Sequence, residues 1–167
     1  FCALLGNPEN GRWQIAPKGK VVKSSQRYVP DTAVLETHFE TEEGVIEVVD
    51  FMPLSDDEQR VDVVRIVRGV SGRVTVGMEL ILRFNYGEIL PWVLRRDYGL
   101  SAVAGPDAVE LNTPAKLEGH DMKTVAEFTL GEGETMPFTL SYHPSNKPPH
   151  FVRDRTDSLN QTIGWWT

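Results

Sequence analysis

From Arg73 to Phe84 the chain alternates with a period of two. Val74, Val76, Met78, Leu80, Leu82 and Phe84 fall on one side, and Thr75, Glu79 and Arg83 fall on the other together with Gly77 and Ile81. Successive side chains of an extended strand point to opposite faces, so this run predicts a long β-strand with one buried face. The preceding run, Val61 to Val70, is rich in β-branched residues and reaches it through Ser71-Gly72, a pair that suits a tight hairpin turn. Val34 to Glu40 and Val45 to Met52 predict a second hairpin, turned at Thr41-Glu-Glu-Gly44. Further strands are expected at Arg12–Ala16, Trp92–Arg96, Leu100–Ala104, Ala108–Asn112, Lys123–Leu130 and Met136–His143. Gly105-Pro-Asp107 and Gly131-Glu-Gly-Glu134 supply turns between them.

So many strands at short spacing, with no helical pattern among them, predict an all-β fold: a large antiparallel β-sandwich of two broad curved sheets rather than a small barrel. With 167 residues, 40% of them hydrophobic, the chain can bury a core without covalent staples. The texture changes after Tyr142. The run His143-Pro-Ser-Asn-Lys-Pro-Pro-His150 cannot continue a central strand, because its three prolines remove ladder donors. Beyond it, Asp154 or Thr156 is placed to cap a helix on which Leu159, Ile163 and Trp166 share one face. The expected division is a sandwich over residues 1–144, then a Pro-rich hinge and the start of a helix over residues 145–167.

Several classes of chemistry are excluded by what the residues lack. Seventeen Lys and Arg stand against 24 Asp and Glu, a net charge of −7 with no basic run, so nucleic acid is not an expected partner. No apolar run approaches the ~18 residues that suggest a membrane span. The one cysteine, Cys2, lies among apolar residues and reads as a buried thiol, which rules out a disulfide framework within the chain. His38, His120, His143 and His150 show no metal-ligand spacing, and no G-x-S-x-G nucleophile elbow occurs. Gly131-Glu-Gly-Glu134 puts carboxylates where a phosphate cradle needs bare amides. Glu36 and Glu40 flank His38 along one strand, with Glu47, Asp50 and the loop run Asp56-Asp-Glu58 nearby. Such carboxylates read as the wet face of an antiparallel sheet. We therefore assign no catalytic residue, no metal site and no cofactor to this sequence.

The aromatic residues Trp13, Tyr28, Tyr86, Trp92, Tyr98 and Tyr142 are dispersed, and most are expected to pack within the sheets. The exception is Tyr86-Gly-Glu-Ile-Leu-Pro-Trp92, a loop after the longest strand that is suited to border an interface. Trp165 and Trp166, on a lone amphipathic helix, also require a partner surface. Tyr86, Trp92, Trp165 and Trp166 are thus the candidate docking or active-site-rim residues.

A set of phrases in order carries a family resemblance. They are Phe1-Cys-Ala-Leu-Leu-Gly6, Gly11-Arg-Trp-Gln-Ile-Ala-Pro17, Tyr28-Val-Pro-Asp-Thr-Ala-Val-Leu-Glu-Thr37, Val49-Asp-Phe-Met-Pro53 and Arg65-Ile-Val-Arg-Gly-Val-Ser-Gly72. Leu82-Arg-Phe-Asn-Tyr-Gly87, Pro91-Trp92, Ala104-Gly-Pro-Asp107 and Tyr142-His-Pro-Ser145 complete it. Together they resemble the N-terminal domain of bacterial glycoside hydrolase family 15 proteins, the glucoamylase-like and trehalase-like enzymes. The resemblance implies a supersandwich joined by a linker helix, beginning near Trp165-Trp166, to a catalytic (α/α) barrel. In that barrel two glutamates, set about 6.5–9.5 Å apart, hydrolyse α-glucosidic bonds with inversion. No run of helices here matches such a barrel, so trehalose or an α-glucan is expected to meet the longer protein rather than this domain.

Phe1 opens in mid-text without a methionine and Thr167 follows a Trp-Trp pair, so the expectation is a domain cut from that longer protein. The family pattern has a further strand-forming stretch before Phe1. Its absence would expose a sheet edge and leaves homodimerisation of the isolated domain open. The family habit also leans towards a cytoplasmic location. The rival readings are a stand-alone carbohydrate-binding sandwich and, more remotely, a hydrolase using Glu36, Glu40 or Asp50.

Overall fold

The computed structural model describes residues 6–149, 151, 152 and 154–167. Cys2 and His150, and with them the buried-thiol reading, lie outside the described residues. The strands are β1 (Arg12–Pro17), β2 (Val21–Tyr28), β3 (Leu35–Thr41), β4 (Gly44–Phe51), β5 (Val61–Ile81), β6 (Trp92–Arg96), β7 (Gly99–Ala104), β8 (Asp107–Asn112), β9 (Glu118–His120), β10 (Lys123–Gly131) and β11 (Thr135–Pro144), followed by helix α1 (Arg155–Trp166). All pair antiparallel. A small sheet is ordered β1-β5-β10-β9, and a large one β2-β3-β4-β5-β11-β8-β7-β6. Val74, Val76, Met78 and Leu80 from the small sheet meet Ile46, Val48, Val67, Leu111 and Phe138 from the large one in a single buried cluster. This is the expected sandwich, driven by removal of that apolar surface from water.

The expected hairpin at Ser71-Gly72 does not exist. Residues 61–72 pair with β4 and β11 in the large sheet, and residues 73–81 pair with β1 and β10 in the small one. One 21-residue strand therefore belongs to both layers. The reason lies in its phase. Inward positions are odd up to Val67 and even from Val74, so one residue must be extra. Opposite β4, Val45 pairs with Ser71 and Ile46 with Gly69, which leaves Val70 bulged and exposed. Gly72 then takes φ +68°, and a side chain there would overlap the Glu43 carbonyl. The bend that looks like a turn in the sequence lets the strand change sheets.

Two strands were not expected. β2 has no alternation because all eight of its residues are exposed, and β9 is only three residues long. The turn at Thr41–Gly44 is as expected. Thr41 Oγ1 accepts from the Glu43 and Gly44 amides and donates to the Gly44 carbonyl at 2.9 Å.

The outer face of the large sheet is also covered. Asp154 caps α1 by accepting from the Asp157 amide at 2.9 Å, and Leu159 and Ile163 pack on Val34, Val49, Phe51, Val64 and Ile66. Trp166, expected on the same helix face, is half exposed instead. Beside this apolar patch runs a buried polar row. Asp62, Ser141, Glu110 and Ser101 sit opposite one another on β5, β11, β8 and β7. Ser141 Oγ donates to Asp62 at 2.5 Å, and Arg60 pairs with the other Asp62 oxygen at 2.6 Å. Glu110 accepts from Tyr98 Oη at 2.7 Å and Ser101 Oγ at 2.9 Å, with His143 Nε2 at 3.3 Å. His143, near the end of β11, is thus hydrogen-bonded on the sheet. Burial, and then the bond to Glu110, push the Tyr98 hydroxyl up to about 12. Arg155, the first residue of α1, donates to Thr139 Oγ1 and Asn112 Oδ1 in the next row, pinning the helix to the sheet.

Candidate docking surface

The strand carboxylates that could suggest acid–base chemistry are all matched to cations. Glu36 pairs with Arg27 (2.8 Å), Glu40 with Lys23 (3.6 Å) and Glu47 with Arg68 (3.4 Å). Asp50 takes a two-pronged grip from Arg65, at 2.8 and 3.0 Å. Arg65 also donates to the Trp13 carbonyl, and its guanidinium lies 5.0 Å from that indole ring, so this ion pair ties one sheet to the other. A cleft of about 640 Å³ around Gly77 on the small sheet is likewise self-neutralised. Lys18 pairs with Glu127, Lys116 with Glu118 and Arg12 with Glu79 on its walls. These ion pairs hold strands together, and none of the paired carboxylates is left as a free acid or base on the sheets.

The large exposed apolar residues gather elsewhere. After β5 the chain makes a short loop that is locked by reciprocal bonds between Phe84 and Ile89, 2.9 and 3.0 Å long. Inside it, Asn85, Tyr86 and Gly87 all have positive φ. Tyr86 is held at φ +57°, an unfavourable region for a side-chain-bearing residue, and stands 75% exposed. The chain then enters β6, the last strand of the large sheet, at Trp92, which is 73% exposed although its backbone pairs with Val103. Ile89, Leu90, Val93 and Leu94 extend the exposed apolar surface on either side.

Trp92 lines a cleft of about 610 Å³ with Leu82, Leu90 and Met122. Met122 comes from the two-residue turn between β9 and β10, where Asp121 and Met122 both have positive φ, the geometry of a type I′ hairpin. Sequence reasoning did not find Met122. Nothing about an Asp-Met pair announces such a turn, and the nearby Gly119 is not one of its central residues. Tyr86 belongs to the same loop but is not on the wall of this cleft.

Trp165 and Trp166 form a second location. They close α1 with ring centroids 5.0 Å apart at 84°, an edge-to-face pair, and Trp165 is the more exposed of the two. The four expected docking residues are therefore all exposed and fall into two groups, one at the β6 end of the large sheet and one on the helix over its outer face. Among the described residues no helix is long and apolar enough to cross a membrane.

Comparison with known proteins places this geometry. A family profile described as "Trehalase-like, N-terminal" matches residues 1–129. Trehalase 1 of Sulfolobus acidocaldarius is 28% identical over 93% of the chain and 26% of its own length. The trehalase of Mycobacterium tuberculosis is 25% identical over 99% of the chain and 28% of its length. That of Mycolicibacterium smegmatis is 23% identical over 93% and 27% respectively. The chain thus spans about a quarter of the length of the curated relatives it matches. A β-sandwich whose strand carboxylates are spoken for, and which exposes Tyr86 and Trp92 at its β6 end and Trp165 and Trp166 on its covering helix, belongs to the trehalase-like N-terminal domain family.

Proposed function

We propose that this chain is the non-catalytic N-terminal domain of a family 15 glycoside hydrolase acting on α-glucosidic bonds, and that it packs on and stabilises the catalytic (α/α) barrel. One observation carries the reading: the apolar surface around Trp92, with Ile89, Leu90, Val93, Leu94 and Met122 all exposed. An unpaired sheet edge bearing Trp, Val and Leu in water invites aggregation unless another surface covers it. Large aromatics at the centre of a docked surface carry most of its binding energy. The locked loop backbone at Tyr86 presents its ring outward, which limits the backbone ordering that docking would require. Trp165 and Trp166 provide the second contact, next to where α1 leaves the sandwich. Substrate, whether trehalose or a longer α-glucan, meets the barrel.

The test is glucose release from trehalose and maltooligosaccharides by the full-length protein, by residues 1–167 alone, and by the protein lacking them. Hydrolysis by the full-length protein only is the expected result, and hydrolysis by residues 1–167 alone would refute the reading. Tyr86→Ala with Trp92→Ala should lower the melting temperature of the full-length enzyme and leave that of the isolated sandwich unchanged. Equal shifts in both would remove these residues from the docking surface.

A further inference from the structure

The strand at the opposite end of the large sheet is the least explained element of the fold. All eight residues of β2 are exposed, so it gives no side chain to either core. Among the described residues it is held by one ladder, to β3. Natural sheets protect such edges with short strands, prolines, bulges or free charges. The edge strand β9 is three residues long and β1 ends in Pro17. β2 is long and has no proline. Its two cations are already neutralised within the same sheet, Lys23 by Glu40 and Arg27 by Glu36. Its one bulge lies at the start, between Val21 and Lys23, and the remaining ladder to Tyr28 is regular.

We propose that β2 is a self-pairing edge. A second copy of this chain adds its own β2 antiparallel, continuing the large sheet across a two-fold axis at Gln26. Antiparallel edge pairing about a two-fold normal to the sheet brings together residues of the same face, so the axis must pass through a residue position. At Ser25 it would set Lys23 against Arg27, and at Ser24 it would run the pairing into the bulge. At Gln26 the facing pairs are Gln26 with Gln26, Ser25 with Arg27, and Ser24 with Tyr28, with no like charges opposed. An amide carries both a donor and an acceptor and can bond reciprocally with its copy. One Gln26 N–H already goes to Thr37 Oγ1 at 3.1 Å, which orients the side chain. The pairing also covers the exposed ring of Tyr28. None of the four docking aromatics lies on β2, so this inference and the docking role stand or fall separately.

Sedimentation equilibrium of the chain over about 10 µM to 1 mM should show a monomer–dimer equilibrium. With each copy at −7, association should tighten as salt screens the repulsion. Gln26→Lys and Gln26→Glu each set like charges face to face at the axis and should weaken the dimer about tenfold. An equimolar mixture of the two variants should restore it, as Lys then meets Glu. Thr37 remains in place in both, and circular dichroism checks that the fold is retained. A wild-type monomer at all concentrations overturns the inference. So does a dimer indifferent to both variants, which would point to another surface such as the β6 edge, or a mixture that fails to recover. Capture of a foreign extended peptide by β2 in place of a second copy would also overturn it.

Discussion

The two faces of the large sheet are built on different principles. The inner face, with Val48, Val67, Leu111 and Phe138 against the small sheet, is closed mainly by apolar packing, with the Arg65–Asp50 pair as its polar tie to Trp13. The outer face sets a buried row, Asp62–Ser141–Glu110–Ser101, beside an apolar patch under α1. On the inner face a substitution is judged by volume, since what matters is contact and excluded water. On the polar row it is judged by whether every donor and acceptor still has a partner, because an orphaned buried polar group forfeits its hydration without compensation. Adjacent residues of one strand, Glu110 and Leu111, sit under these two regimes.

The largest effect is expected where volume is lost inside. Phe138→Ala removes a fully buried ring and should cost about 3–5 kcal/mol in denaturant unfolding. The sharper test uses one incoming residue at adjacent positions. Glu110→Met keeps the length of the side chain but leaves Tyr98, Ser101 and His143 without their acceptor, and should cost about 3 kcal/mol. Leu111→Met, on the other face, should cost less than about 1.5 kcal/mol. Equal costs would erase the distinction between the faces. Arg155→Met frees the start of α1 from Thr139 and Asn112 and should cost about 1–2 kcal/mol. The signature that separates this from general weakening is faster amide exchange confined to α1.

The smallest effect is one of pH. The Tyr98 hydroxyl is raised from its ordinary 10.0 to about 12, first by burial and then by its bond to Glu110, so ionisation is harder in the folded chain than in the unfolded one. The contribution is complete below pH 10 and is lost as pH rises through about 12. Tyr98→Phe should abolish that alkaline limb, and a limb that survives the substitution would assign it to another group.

Much of this architecture was legible where a strand has one wet and one dry face. The Arg73–Phe84 alternation, the Thr41–Gly44 turn and the Asp154 cap all register in local sequence because each is settled by neighbours along the chain. β2 left no such trace, since a strand exposed on both faces has no period to detect. The unity of β5 was hidden for another reason: Ser71-Gly72 serves a hairpin and a sheet-changing bulge equally well, and only pairing partners from distant strands decide between them. The polar row was unreadable in the same way. Glu110 in an alternating strand resembles a residue facing water, yet it is buried, and its partners Tyr98, Ser101 and His143 come from other strands and turns. Trp92 and Tyr86 stood out by residue type, whereas Met122 joins Trp92 in its cleft through a turn geometry its sequence does not advertise.

The sharing of β5 between both sheets has a consequence for how the domain comes apart. In a sandwich whose layers meet only through side chains, one sheet can loosen while the other persists. Here one continuous 21-residue strand is the central rail of both ladders, its first part in the large sheet and its second in the small one, so peeling either layer pulls on the strand that anchors the other. The slowest-exchanging amides of the two sheets should therefore open together, as one cooperative unit. A new pair of chain ends at Ser71-Gly72, which would be harmless in a hairpin loop, should be among the most damaging cuts in the molecule.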